Sequence, residues 1–181
     1  MTRCANFHFQ IGPFSTFVKL QVLFVCLGNI CRSPLAEGTF RELVAQKGLS
    51  DTISCDSAGT HGYHIGALPD RRSRRVAADY GITLTHHARK LSSDDFANFD
   101  YIVAMDESNL ENIQTQSYRS TGFYPEEGRV LLYRDFDEQA DSPNVPDPYY
   151  DDMSAFEDVF QIVSRCGENF LEYLIKEHNL V

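Results

Sequence analysis

Residues 20–34, LQVLFVCLGNICRSP, constrain the fold more than any other stretch of the chain. From Leu20 to Val25 the run is short, apolar and rich in β-branched and aromatic residues, as in a strand buried on both faces of a parallel sheet. It stops at Cys26, and a small polar loop follows that ends in Arg32, Ser33 and Pro34. Ser33 reads as a helix cap and Pro34 as a first helical residue, while Gly28 and Asn29 can take unusual φ values between them. A strand, a tight loop and a helix N-terminus together turn N–H groups inward and make a nest suited to a phosphate-like dianion. Cys26 is expected at its floor, with Leu27, Gly28, Asn29, Ile30, Cys31 and Arg32 around the anion.

A thiol that faces N–H groups, a helix N-terminus and a guanidinium is a nucleophile at neutral pH, since those groups stabilise its thiolate. Cys26 is the expected nucleophile. Arg32 offers a planar fork of donors to two equatorial oxygens of a phosphoryl group, where charge spreads during transfer.

The remaining chain reads as alternating helices and strands. Helices are expected over 34–47, 69–81, 94–97, 108–116 and 153–177, and strands over 52–57, 101–105 and 129–132, with Gly48 and Gly81 closing two of the helices. The four arginines of the second helix, Arg71, Arg72, Arg74 and Arg75, read as a solvated face. Between the second strand and that helix lies a Gly-rich loop, AGTHGYHIGALPD, at a strand end where open α/β sheets place their ligands. From Tyr133 to Tyr150 there is no periodic pattern, and a loop of that length in a compact domain is usually functional. The fold class is therefore α/β: one domain with a four-stranded parallel, doubly wound sheet and helices on both faces.

Of 181 residues 43% are hydrophobic, enough for one domain with a real core. A net charge of −10 argues against nucleic acid and against an anionic membrane surface as partners. No apolar run approaches the length of a transmembrane helix. Five cysteines, Cys4, Cys26, Cys31, Cys55 and Cys166, form no regular framework, so reduced thiols in a cytoplasmic compartment are expected. No metal-ligand spacing is present among Cys and His, and no cofactor is implied. Residues 1–18 lack periodicity and a secretory pattern, and read as an N-terminal extension, either a start-site artefact with translation beginning near Val18 or a disordered or surface-packed arm; the domain is expected over 19–181.

CLGNICRSP after an apolar strand resembles the phosphate loop of the low-molecular-weight protein tyrosine phosphatases, and three further blocks follow in that family's order: DSAGT at 56–60, FDYIVAMDESNL at 99–110 and VPDPYY at 145–150. The resemblance implies hydrolysis of protein phosphotyrosine through a phosphocysteine, without metal, by a monomer or weak dimer acting on tyrosine-phosphorylated proteins or peptides and releasing inorganic phosphate. It puts the proton donor on Asp147. Flanking Pro146 and Pro148 restrict that residue toward extended values and aim its carboxyl. The neighbouring Asp135, Asp137, Asp141, Asp151 and Asp152 are expected to favour its protonated form through like charge. The resemblance further implies a pocket wall of Leu27, Tyr63, Tyr149 and Tyr150, a supporting network of Asn29, Ser33, Ser57 and His86, a carboxylate at Asp106 behind the loop, and reversible oxidation of Cys26 onto Cys31. His86 is then a structural histidine rather than a base. Arginine phosphatases of the family carry Thr where this chain has Ile30, and arsenate reductases of the same fold need more downstream cysteines, so these stand as alternatives to tyrosine. At the rim, Asp151 and Asp152 stand where many relatives carry Gly-Gly, and read as charges disfavouring acidic substrates.

Overall fold

Strand β1 (Leu20–Cys26) is the axis of the molecule, and its alternation of side chains decides what lies on each side of it. Val22 and Phe24 face one apolar cluster, Leu23 and Val25 another, and all four are fully buried. A strand with no solvent face must lie inside a sheet covered on both sides. The computed structural model describes residues 19–180, so the extension read at 1–18 falls outside the described residues.

Within that range the order is β1, α1 (Arg32–Gln46), β2 (Ile53–Gly59), α2 (Arg71–Asp79), α3 (Asp95–Asn98), β3 (Tyr101–Ala104), α4 (Glu107–Thr121), β4 (Val130–Leu132), a 3₁₀ turn at Tyr133–Phe136, and α5 (Met153–His178). All strands are parallel in the order β2-β1-β3-β4. Helices α1, α2 and α5 cover the Phe24 side, and α4 with the short α3 covers the other. The larger core is an aromatic stack in which the Phe24 ring lies 5.4 Å from Phe40 and 5.1 Å from Tyr133, with Phe170 of α5 5.5 Å from Phe40. The fold class and the single domain are as expected. No helix among the described residues is long and apolar enough to cross a membrane.

The chain leaves β1 for β2 on one side and returns to β3 on the other, so the crevice at the carboxyl ends of β1 and β3 is the topological switch point. Cys26 and the loop after it lie on one bank, Met105 and Asp106 on the other.

Two local expectations are corrected there. Helix α1 starts at Arg32, with Cys31 in the cap position and no side-chain cap bond. Ser33 sits inside the first turn, because its hydroxyl has partners in the loop itself. Of Gly28 and Asn29, only Asn29 has a left-handed φ, 56°. Asparagine tolerates that region, and here its amide is bonded on every side.

Candidate active site

The loop from Cys26 to Arg32 is held from outside by its own carbonyls. Cys26 O accepts from the Thr60 amide at 2.9 Å, Leu27 O from the His61 amide at 3.0 Å and Ile30 O from the Asp70 amide at 2.8 Å, while Ser73 Oγ donates to Cys31 O at 3.4 Å. Carbonyls that point outward on successive residues leave the opposite side of the loop to N–H groups. One such group is seen directly: the Asn29 amide donates to Cys26 Sγ at 3.2 Å. Ser33 Oγ is 3.1 Å from the same sulfur.

Asn29 is the hinge of a buried network. Its Nδ2 donates to Ser33 Oγ and Ser57 Oγ, both at 2.9 Å, and its Oδ1 lies 2.7 Å from His86 Nε2 and accepts from the Arg89 amide at 2.9 Å. Ser57 Oγ donates in turn to Glu37, a carboxylate buried in α1. His86 Nδ1 lies 3.3 Å from Glu37 and 3.4 Å from Asp56. Glu37, Asp56 and His86 are close enough together to hold a metal ion. Their atoms are already engaged, however: Asp56 accepts from Arg89 and from the Ser57 amide, and Glu37 from Ser57 and Arg41. The trio fits a brace for Asn29 better than a metal site.

Arg32 is 3% exposed and crosses the switch point. Its Nη1 donates to Asp106 at 2.6 Å and to Val145 O at 3.1 Å, and its Nη2 to Asp147 Oδ2 at 2.8 Å. Burial works against its charge, but Cys26, Asp147 and Asp106 outweigh burial and push its pKa above the ordinary arginine value. Asp106 also caps α4, accepting from the Asn109 amide at 2.6 Å, so the carboxylate read behind the loop both orients Arg32 and starts a helix.

Asp147 is not surrounded by the aspartates that crowd it in sequence. Asp137 binds Arg134 and Arg165, Asp141 binds Arg134, and Asp152 caps α5 through the Ser154 amide. The charged partner of the Asp147 carboxylate is the Arg32 guanidinium, and its other oxygen accepts from the Tyr149 amide at 3.2 Å. The crowding expected from sequence is corrected for these three: a loop fixes which charges meet, and this one commits Asp137 and Asp141 to arginines and Asp152 to a helix end.

A cavity of about 430 Å³ opens over the loop, lined by Cys26, Leu27, Gly28, Ile30, Cys31, Arg32, Tyr63, His64, Asp147, Tyr149 and Tyr150. Its floor is the sulfur and guanidinium, and its walls are apolar and aromatic. Tyr149 is 38% exposed, whereas Tyr150 is 94% exposed at the outer rim. Tyr63 stacks on His61, with ring centroids 5.2 Å apart. His64, 6.1 Å from the Tyr149 ring, lines the cavity and was not singled out from the sequence, where a Gly-rich loop gives no sign of which side chains turn inward.

A model of the low molecular weight phosphotyrosine protein phosphatases matches residues 21–180. The chain belongs to that family. It is 44% identical over 151 residues to the human low molecular weight phosphotyrosine protein phosphatase, covering 83% of this chain and 93% of the human one. Among solved structures, YfkJ from Bacillus subtilis superposes with a TM-score of 0.79 at 39% identity, covering 88% of this chain and 96% of YfkJ. The drosophila arginine phosphatase DARP also superposes with a TM-score of 0.79, at 32% identity, covering 85% of this chain and 97% of DARP. The enzyme is thus a protein-tyrosine phosphatase that hydrolyses phosphotyrosine through a cysteine intermediate, with phosphoproteins as substrates and phosphate as product.

Proposed function

We propose that Cys26 is the nucleophile, Arg32 the phosphoryl clamp and Asp147 the acid and then the base of this phosphatase. The observation that carries the assignment is the convergence of all three on one cavity floor, with Arg32 bonded to Asp147 and hydrogen bonds on Cys26 Sγ. Cys26 Sγ attacks phosphorus in line, the S–P bond forms and the P–O bond to the phenol breaks. The Asp147 carboxyl proton goes to the departing oxygen. Water then attacks the phosphocysteine, Asp147 takes a proton from that water, and the S–P bond breaks to release phosphate. For this to happen Arg32 Nη2 must exchange Asp147 for a phosphoryl oxygen, which frees the carboxyl at the moment it is needed.

The backbone N–H groups of Leu27 to Arg32 hold the equatorial oxygens, and Asn29, Ser33, Ser57 and His86 keep that loop in shape. Leu27, Tyr63, Tyr149 and Tyr150 flank the ring of the substrate. Ile30, 8% exposed in the cavity, gives an apolar wall that suits a phenyl ring better than a guanidinium leaving group. Nucleophile, anion cradle and acid all come from one chain, which supports action without a metal or cofactor by a monomer or weak dimer. Dependence on a free thiol supports a reducing, cytoplasmic setting, and the net charge of −10 supports protein rather than nucleic acid or membrane as partner.

Substitution tests the roles. Cys26→Ser abolishes turnover of a phosphotyrosine peptide, and Asp147→Ala slows it by roughly 10²- to 10⁴-fold while sparing binding. Full activity without Cys26, or activity lost to EDTA, contradicts the scheme.

A further inference from the structure

Arg72 is one of four arginines on α2, yet it is tied down unlike the others. Its Nε and Nη2 make a bidentate pair with Asp70, both at 3.0 Å. Asp70 is the cap of α2, and its own amide donates to Ile30 O of the phosphate loop at 2.8 Å. On its other side the same guanidinium grips the segment after Asp147: Nη2 donates to Tyr149 O at 3.0 Å and Nη1 to Asp151 O at 2.8 Å. Those two carbonyls belong to a turn closed by the Asp151 amide on Pro148 O. The flat of the guanidinium lies over the Phe156 ring at 4.2 Å, in the first turns of α5.

From this geometry we propose that Arg72 is a positioning residue for the acid, setting Asp147 in register with the phosphate loop. The connection is short. Arg72 fixes the Tyr149 carbonyl, the Tyr149 amide donates to Asp147 Oδ1, and Asp70 links Arg72 back to Ile30. Only a planar fork with several donors can serve a carboxylate and two carbonyls at once, so lysine is a poor substitute. The segment it holds, 146–152, has no regular structure of its own to fix the carboxyl. The inference rests on Asp147 being the proton donor, and goes beyond it by naming what aims the donor.

Leaving groups provide the readout. p-Nitrophenolate departs readily without a proton, whereas the phenolate of phenyl phosphate needs one, so misaiming the acid costs more on the second substrate. kcat/KM covers binding and the first phosphoryl transfer, and is measured for both esters in wild type, Arg72→Met, Arg72→Lys, Asp147→Asn and the Arg72→Met/Asp147→Asn pair. Arg72→Met is expected to lose about tenfold or more on phenyl phosphate, the scale of a displaced catalytic group, and clearly less on p-nitrophenyl phosphate. Arg72→Lys falls between. In the Asp147→Asn background the Arg72 substitution should add nothing on phenyl phosphate, because no donor remains to be aimed. Equal losses on the two esters, no loss on either, or a full additional loss without Asp147 overturns the proposal and leaves Arg72 a tie between α2 and α5. If neither variant folds, as judged by thermal unfolding, that structural role is again the whole of it. Should Asp147→Asn alone lose equally on both esters, the acid assignment itself fails and the Arg72 inference falls with it.

Discussion

Cys26 and Cys31 are both buried, lie five residues apart on one loop and meet different surroundings. Cys26 Sγ has the Asn29 amide and the Ser33 hydroxyl beside it. Burial pushes the Cys31 thiol far above its ordinary range, and the nearby charges of Asp70, Cys26 and Asp147 push it further, with Arg72 opposing weakly. Cys31 is therefore a neutral thiol that does not compete for substrate. We propose that Cys26, once oxidised to a sulfenic acid, condenses with the Cys31 thiol, forming the S–S bond and releasing water. Peroxide should then inactivate the enzyme and dithiothreitol restore it, with recovery markedly lower for Cys31→Ser as Cys26 passes on to the sulfinic acid. Equal recovery of the two proteins would remove the protective role. At this scale Cys26 and Arg32 could be picked out by residue type and spacing, and Asp147 and the three tyrosines by resemblance to the family's motifs; all of them line the cavity. Arg72 was not legible, because four arginines in five residues of a helix look like a solvated face. The one signal was Asp70 two residues earlier, an acid at a helix start within reach of that side chain.

The elements that carry the site are constrained by space as much as by bonding. Gly59 ends β2 directly beside Cys26 in the sheet register. A Cβ there would lie 2.9 Å from the carbonyl oxygens of His61 and Leu27 and 3.2 Å from the Asn29 amide nitrogen, all backbone atoms of the two loops that build the site. Gly59→Ala should therefore displace the phosphate loop, destabilising the protein by about 1–3 kcal/mol as other overpacked positions do and lowering kcat/KM for phosphotyrosine peptides. Gly38→Ala offers the control. A Cβ there would meet Leu84 Cδ2, the end of a side chain that can turn away, and activity should survive. Activity kept by Gly59→Ala, or lost only in Gly38→Ala, contradicts the packing argument. Element types were readable from periodicity and strand composition, and their ends were not. The start of α1 was misread because Ser33 looks like a cap until its partners in the loop are known. Asp152, read as a rim charge, is exposed and also caps α5 through Ser154, a second role that the sequence reading did not include.

Across the whole molecule, 26 acidic residues face 16 basic ones, so acid stability depends on which carboxylates the fold has paired. Asp56 joins β2 to the segment around His86 and Arg89. Burial works against its carboxylate, but the His86 hydrogen bond, the Arg89 guanidinium and the Ser57 amide outweigh burial and bring it from its ordinary 3.8 down to about 2. With the folded value depressed, the unfolded chain takes up the proton first as pH falls. The stabilisation is then complete above the ordinary value and is lost as pH falls through it toward about 2. Asp56→Asn should be less stable at neutral pH, and its deficit, read from urea midpoints, should shrink steadily below pH 4. A deficit that stays constant through that window would place the effect elsewhere. The sheet, its parallel sense and its two covered faces were legible because β1 has no polar side and strands alternate with helices. The partners of the irregular 133–150 segment were not, since Arg165 and Arg32 reach it from other parts of the chain and Arg134 turns back onto it from within.

The central claim, that turnover passes through a phosphorus–sulfur bond on Cys26, can be read directly. A phosphotyrosine peptide mixed with excess enzyme and quenched in acid within the first turnover should give protein carrying one added phosphoryl group, and peptide mapping by mass spectrometry should place it on Cys26. Turnover with no phosphorylated enzyme at any quench time, or a phosphoryl group mapped to another residue, would contradict the account.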